Sequence, residues 1–324
     1  MKVHARAPGK VIWFGEHFVV KGKPAIASAI DLYADVTIEP IDSDRVIIES
    51  RDKGVVYDYS RRGKPPRLLK PFKHVIDYIV GEGYTGRPRG IYARISSSIP
   101  VGAGLGSSAA TLVAFTAAFL KYHGVPMDSN TVSKIAYEGE KIVHGKPSGI
   151  DNTVSTHGGF ILYKQGVLQK IDYVWRDDYV LLVVDTGISR NTGHAVKRVL
   201  DRYNRVPNVM TKIYDAAEEI VYTALKYLRK GDFEQLGELM NIAHGLLASI
   251  GVSIKRIESI IHTALKQGAS GAKLTGAGLG GCVLVLVRND LLDRVSHSIS
   301  RVSKKIRIFP VKPIGKGYSV RVYE

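Results

Sequence analysis

The chain has 324 residues, 45% hydrophobic and 23% charged, a composition typical of a soluble globular protein with room for one large domain or two ordinary ones. No run of eighteen apolar residues occurs, and the opening Met-Lys-Val-His-Ala-Arg leads into no apolar signal core, so neither a membrane span nor export is expected and the expected location is cytoplasmic. The single cysteine, Cys282, excludes an intramolecular disulfide, and the formal charge of +16 points to an anionic partner: nucleic acid, an acidic membrane surface or a polyanionic substrate.

The first forty residues read as strands with a tight turn between them: 3–7 alternate, 11–14 are apolar, and 32–38 alternate again. Residues 45–49 continue this β-rich start. The stretch Arg61-Arg62-Gly63-Lys64-Pro65-Pro66-Arg67 is the densest in positive charge, yet it lacks the interleaved aromatics of a single-strand binding surface and reads as a solvated loop. Residues 72–80 form a helical pattern ended by Gly81 and Gly83, and 91–95 a strand that stops at Pro100. An apolar, Ala-rich pattern over 107–122 predicts a buried helix. A second helix is expected over 131–144 and a short one over 148–155, before Gly158-Gly159 leads into a strand at 160–163. Polar and aromatic residues at 172–178 mark a domain boundary, dividing the chain into 1–172 and 173–324. Beyond it come a strand at 180–184 and helices at 193–205, 211–230, 232–249 and 253–267. Strands at 271–275 and 282–287, a further helix and a final strand pair close the chain. Cys282 opens one of these apolar strands, which makes it a buried, structural thiol. Helices on a partly antiparallel sheet in each half predict an α+β fold. Asn, Gln, Cys and Met are sparse, as in heat-adapted proteins.

Four segments carry chemistry. In Pro100-Val101-Gly102-Ala103-Gly104-Leu105-Gly106-Ser107-Ser108-Ala109-Ala110, three glycines let backbone approach a ligand, and the loop runs into a helix whose free N–H groups favour an anion. Ser107 and Ser108 add hydroxyls for phosphate or metal. No Lys follows the last glycine, so this is not a Walker loop; the plainer alternative is a capped helix after a flexible loop. A second glycine loop, Lys273-Leu274-Thr275-Gly276-Ala277-Gly278-Leu279-Gly280-Gly281, matches G-x-G-x-x-G but precedes a strand rather than a helix. It reads as a tight bend passing close to a ligand. Lys10 begins a strand after Pro8-Gly9 and is followed by the turn Gly15-Glu16-His17; it is either a surface charge or the cation that a phosphate site needs. Glu140 sits on a helix among small residues, and Asp151 follows the turn Gly145-Lys146-Pro147-Ser148-Gly149. Asp151 alone would be an ordinary cap, whereas the two carboxylates together suit Mg²⁺ or a proton transfer. No H-E-x-x-H pair, Cys–His cluster or G-x-S-x-G elbow is present, which leaves zinc sites and serine hydrolases without support.

With these segments in order, the chain resembles the GHMP kinases, the family of galactokinase, homoserine kinase, mevalonate kinase and phosphomevalonate kinase, over essentially its whole length. Within them it is most similar to the archaeal-type mevalonate kinases. The resemblance is carried by the run from Gly9 to Ala27, by His144 to Thr153, and by Ser189-Arg190-Asn191-Thr192. Leu279 departs from the pattern where a glycine is usual, as do Phe18 and Lys21 in the first motif. The resemblance implies two α+β domains, a ribosomal protein S5 domain 2-like one followed by a ferredoxin-like one. It also implies ATP-dependent phosphorylation of mevalonate in isoprenoid biosynthesis. ATP would lie on Pro100, Gly102, Ala103, Gly104, Leu105, Gly106, Ser107 and Ser108, with Mg²⁺ on Ser108 and Glu140. Asp151 and Lys10 would be catalytic, and Glu16, His17, Arg190 and Thr192 would hold mevalonate. A homodimer is implied, with no nucleic-acid or membrane partner. The competing readings are another small-molecule kinase of the same family, acting on phosphomevalonate or a sugar, and a basic nucleic-acid-binding protein of S5-like fold.

Overall fold

The computed structural model describes residues 1–61, 63–100, 102–145 and 147–323. Arg62 of the basic stretch, Val101 of the Gly-Ser loop and Lys146 before Asp151 lie outside the described residues.

β1 (Lys2–Phe14) is one long strand where the sequence predicts two with a turn between them. Pro8-Gly9 is absorbed as a register shift against β2 (Ala25–Pro40), so the chain bends without leaving the sheet. There follow β3 (Val46–Ser50), β4 (Val55–Asp58), α1 (Lys70–Gly81) and β5 (Ile91–Ser97). Three helices come next, α2 (Ser107–Tyr122), α3 (Ser129–His144) and α4 (Ile150–His157), and then the hairpin of β6 (Phe160–Lys164) and β7 (Val167–Ile171). The second half runs β8 (Tyr179–Asp185), α5 (Thr192–Arg205), α6 (Pro207–Lys230), α7 (Phe233–Ser249), α8 (Lys255–Lys266), β9 (Gly271–Thr275), β10 (Cys282–Arg288), α9 (Leu292–Ser300), β11 (Arg307–Val311) and β12 (Ser319–Tyr323).

The first sheet has the order β12-β1-β2-β5-β3-β4, with the β6–β7 hairpin joined to β2; β3 and β5 are its parallel pair. The second sheet is antiparallel, in the order β11-β8-β10-β9. By sequence order within the unit this is 4-1-3-2, the ferredoxin-like arrangement expected for this half. The last two strands do not pair with each other, as the sequence reading had them. β11 borders β8, whereas β12 crosses back onto β1. A single cut at 172/173 therefore separates the two sheets except for β12, which completes the first. Long-range pairing of this kind leaves no local signature. β4 and β7, which the sequence reading missed, are strands of four and five residues, too short to show a period.

α2 is buried nearly all round, since Leu112, Val113, Phe115, Ala117, Phe119 and Leu120 all face protein. That explains its apolar, Ala-rich sequence: small residues let neighbouring elements approach closely. One core fills the space between the first sheet and α1, α2 and α3; another lies between the second sheet and α8 and α9. A third is continuous across the two halves, joining Trp13 and Phe14 of β1 to Leu181 of β8, Leu284 of β10 and Met240 of α7. Cys282 is fully buried in this shared core, and burial pushes its thiol pKa far up, as befits a structural thiol. The ion pairs of Glu218 with Lys23, in the turn before β2, at 2.6 Å and with Lys164 of β6 at 3.0 Å also tie the first half to α6. The seam between the halves is thus packed, and the functional loops converge along it.

Candidate active site

The Gly-Ser loop holds its shape through three glycines in the left-handed region, Gly102, Gly104 and Gly106, at φ 77°, 81° and 73°. Gly106 caps α2 without a side chain. The first bond of the helix runs from the Ala110 N–H to the Gly106 carbonyl at 2.9 Å, leaving the three preceding N–H groups unbonded within the helix. β1 passes directly beneath this loop: the Lys10 N–H donates to the Leu105 carbonyl at 2.8 Å, and a Cβ on Gly9 would meet that same oxygen at 2.9 Å.

This close passage aims the Lys10 side chain, 4% exposed, at the start of α4, where its Nζ lies 3.0 Å from Asp151 Oδ1. Asp151 stands in the first turn of α4 behind Gly149, itself at φ 82°. Ser108, in the first turn of α2, donates its hydroxyl to Glu140 Oε1 of α3 at 2.5 Å. Glu140 is 2% exposed. Burial pushes its carboxyl up to about 7; the negative charge of Asp151 adds to the rise, while the Ser108 bond and Lys10 oppose it. A buried carboxylate touching a hydroxyl is a donor set of hard oxygens, suited to a divalent cation that finds its remaining ligands on phosphate and water. Among the described residues no cluster of three or more Asp, Glu, His or Cys stands ready to hold a metal by itself. His144, four residues along α3, brings Nε2 to 3.7 Å from Glu140 Oε2. The sequence reading did not single it out as a site residue, although the i, i+4 spacing was there to be read.

Arg190 lies where the two glycine loops meet. A Cβ on Gly104 would fall 1.7 Å from its Nη2, one on Gly276 2.2 Å from its Nη1, and one on Gly281 3.0 Å from its Cδ. Its Nη1 is buried without a hydrogen-bond partner. The G-x-G-x-x-G match in the last loop is thus a cradle for this guanidinium and not a dinucleotide fingerprint. Leu279 keeps the loop's backbone by adopting φ 55°, a left-handed conformation, with its N–H on the Val252 carbonyl at 2.7 Å. Gly104→Ala is expected to lower kcat/KM by about a hundredfold, because Arg190 and the loop must separate and a misplacement near 1 Å is enough for that loss. Steady-state kinetics beside a thermal melt will check it.

The turn at Glu16-His17 docks onto the same last loop. Thr275 Oγ1 both receives the Ile12 N–H at 3.3 Å and donates to the Ile12 carbonyl at 2.9 Å. The ammonium of Lys273 donates to the Glu16 carboxylate, and both side chains are almost wholly buried. His17, at φ 61°, faces the Ala277 carbonyl with Nε2 at 2.8 Å. A carbonyl only accepts, so Nε2 carries the hydrogen. Burial lowers the ring's pKa and keeps it neutral, leaving Nδ1 as a buried acceptor without a partner. Lys273 was legible as a residue of the loop, but its burial and its partner were not. Thr192 is exposed at the start of α5, whose cap is Asn191 accepting the His194 N–H at 3.0 Å. The structure therefore brings together Lys10, Ser108, Glu140, Asp151 and Arg190 along the seam. Glu16 is engaged by Lys273, and Thr192 is exposed at the first position of α5.

Residues 71–159 match the family model for the GHMP kinases N terminal domain, and 224–305 that for the GHMP kinases C terminal. Over 314 residues the chain is 39% identical to a mevalonate kinase of Aeropyrum pernix, covering 93% of each chain. It is 41% identical over 302 residues to one of Pyrococcus abyssi, covering 88% of each. Among solved structures it resembles L. major mevalonate kinase in complex with R-mevalonate, with a TM-score of 0.81, 31% identity and 96% of each chain covered.

Proposed function

The chain belongs to the GHMP kinases, and from that premise we propose that it is a mevalonate kinase that transfers the γ-phosphoryl group of ATP to the primary hydroxyl of (R)-mevalonate. The observation that carries the chemistry is the Lys10–Asp151 pair at 3.0 Å, beside the Gly-Ser loop. The names of its relatives carry the choice of acceptor.

Phosphoryl transfer asks little covalent chemistry of a protein; it asks for positioning and for compensation of charge. The N–H groups at the start of α2 and the Ser107 hydroxyl bind the ATP phosphates. Arg190, half-buried and with its Nη1 buried and short of a partner, supplies positive charge between the two loops. Asp151 accepts the proton of the acceptor hydroxyl as its oxygen bonds to the γ-phosphorus and the bond from that phosphorus to the ADP oxygen breaks. Lys10 stands beside that exchange and offsets the negative charge gathering there. Ser108 and Glu140 would hold Mg²⁺, which would supply charge neutralisation to the transferring phosphoryl group. The neutral His17 presents Nδ1 as an acceptor for a hydroxyl of mevalonate, held in its tautomer by Ala277. Glu16 acts on the acceptor by shaping that turn, and Thr192 contributes from the first position of α5.

An ADP-release assay over a panel of acceptors tests this reading. Mevalonate is expected to exceed phosphomevalonate, galactose and homoserine in kcat/KM by about two orders of magnitude or more, because polar groups of the site that pair with mevalonate are left unpaired or opposed by the others. A better rate with any of the others would overturn it. The metal assignment predicts a pH effect of definite sign. Holding a cation needs the Glu140 carboxylate, and its proton is held up to about 7. The apparent Mg²⁺ affinity of the wild type should fall as pH drops below that value, by about tenfold per unit, and stay level above it. Glu140→Gln should abolish that dependence along with most of the affinity. Mg²⁺ titrations of kcat at several pH values read both.

A further inference from the structure

We propose a second anion site on the far face of α4, with the chemistry to take a small organic phosphate. A cleft of about 570 Å³ opens between α3, α4 and the β6–β7 hairpin, within the range of metabolite sites, roughly 300–1,000 Å³. None of Lys10, Ser108, Glu140, Asp151 or Arg190 lines it. The helix itself explains the separation. At about 100° per residue, Thr153 and His157 on the cleft side point away from Asp151, so α4 has the proposed base on one flank and this cleft on the other.

The lining has one sign of charge. Lys134 of α3, Lys170 of β7 and His157 supply its ionisable groups apart from the Tyr137 phenol, and no Asp or Glu lines it. Lysines such as Lys23, Lys73, Lys141 and Lys164 are each neutralised by a carboxylate within 3.0 Å. Among the described residues neither Lys134 nor Lys170 has one within 4.0 Å. Lys170 lies across Gly159, where a Cβ would sit 3.2 Å from its Cε, and its charge joins burial in lowering the pKa of His157. Lys170 and the His157 ring thus face each other, and Lys134 lines the same cleft. Hydroxyls complete the donor set. Ser133 Oγ already accepts from Asn152 Nδ2 at 2.9 Å and Ser148 Oγ from the Ile150 N–H at 3.4 Å, which leaves both hydroxyl hydrogens to give. Two ammonium groups and several O–H donors without a carboxylate suit a dianionic phosphoryl group, with its many acceptor oxygens, better than a monocarboxylate. Ile161 and Leu168 form an apolar wall for the organic part.

The test is calorimetric titration of the full chain in saturating Mg²⁺–ADP, with pyrophosphate, glycerol phosphate and acetate as probes. One further anion is expected to bind per chain, with both phosphates tighter than acetate. The double variant Lys134→Gln, Lys170→Gln and, separately, Leu168→Glu should each weaken that event by about tenfold or more through lost or opposed charge, with unchanged melting temperature and unchanged kcat. Equal binding in the variants, absence of the second event, or acetate binding as tightly as the phosphates would overturn the proposal. If ADP fails to fill the Gly-Ser loop, the variants still bind one phosphate fewer than wild type, so failure of the kinase reading and failure of this site give different results.

Discussion

Asp151→Asn is expected to lower kcat by about two to four decades, the range for removing a positioned proton acceptor, with little change in stability. The amide keeps the shape of the carboxylate and its place in the first turn of α4, so a loss of rate without a loss of fold isolates the proton transfer. Lys10→Met should fall by a similar factor. Its ammonium is aimed by a strand whose backbone is bonded to the Gly-Ser loop, and its carbon stem packs against Gly106, so methionine retains the packing and loses the charge. Because the two groups are in contact at 3.0 Å, the double variant should lose far less than the sum of the single losses. Near wild-type kcat in either single variant would remove the pair from the mechanism. If kcat falls in Asp151→Asn while the burst of product in a single turnover stays fast, the carboxylate serves product release and not proton transfer.

The second large effect is on stability. Lys273→Met should cost about 3–5 kcal/mol, the usual penalty for leaving half of a buried ion pair behind. Lys273 is fully buried, Glu16 is 2% exposed, and Glu16 Oε2 already lacks a partner, so only the charge of Lys10 remains to favour the carboxylate. The loss should depend on pH with a definite sign. Burial raises the Glu16 carboxyl above its ordinary 4.5, with Lys273 opposing that rise in the wild type. Without Lys273 the folded chain holds a proton that the unfolded chain releases, so stability is greatest at or below about pH 4.5 and falls as pH rises through the raised value. Adding Glu16→Gln removes the stranded charge and should recover most of the loss. Urea unfolding of the three chains between pH 4 and 8 reads this. A flat profile for Lys273→Met would mean that the pair contributes little. KM for mevalonate should rise in the single variant more than kcat falls, since the pair holds the turn that carries His17.

Much of the fold was legible because local rules carried it. α2 was expected over 107–122 and occupies those residues, since an apolar Ala-rich run after a Gly-Ser loop has one favourable conformation. The helices of the second half lay within a few residues of their expected bounds, as amphipathic periods and capping residues such as Asn191 and Asp232 allow. The bend at Pro8-Gly9 was less legible. A turn and a bulge use the same residues, and only the partner strand decides between them. The return of β12 to β1 was not legible at all, since pairing across the length of the chain is chosen by sheet edges that no window of sequence contains.

The sequence alone determined which groups were on hand: three glycines and two serines before a helix, a lysine after a Pro-Gly bend, and two acids on neighbouring helices, each open to a structural reading as well as a chemical one. The tertiary structure decided which of them act together. It set Lys10 against Asp151 and Ser108 against Glu140, turned the last glycine loop into a seat for Arg190, and gave Glu16 a buried partner in Lys273. The physical reason is range. Backbone preferences and hydrogen bonds at helix ends reach a few residues along the chain and are written there, whereas a charge is given its partner by packing, and here the packing is of two halves whose shared core holds four distant loops along one seam.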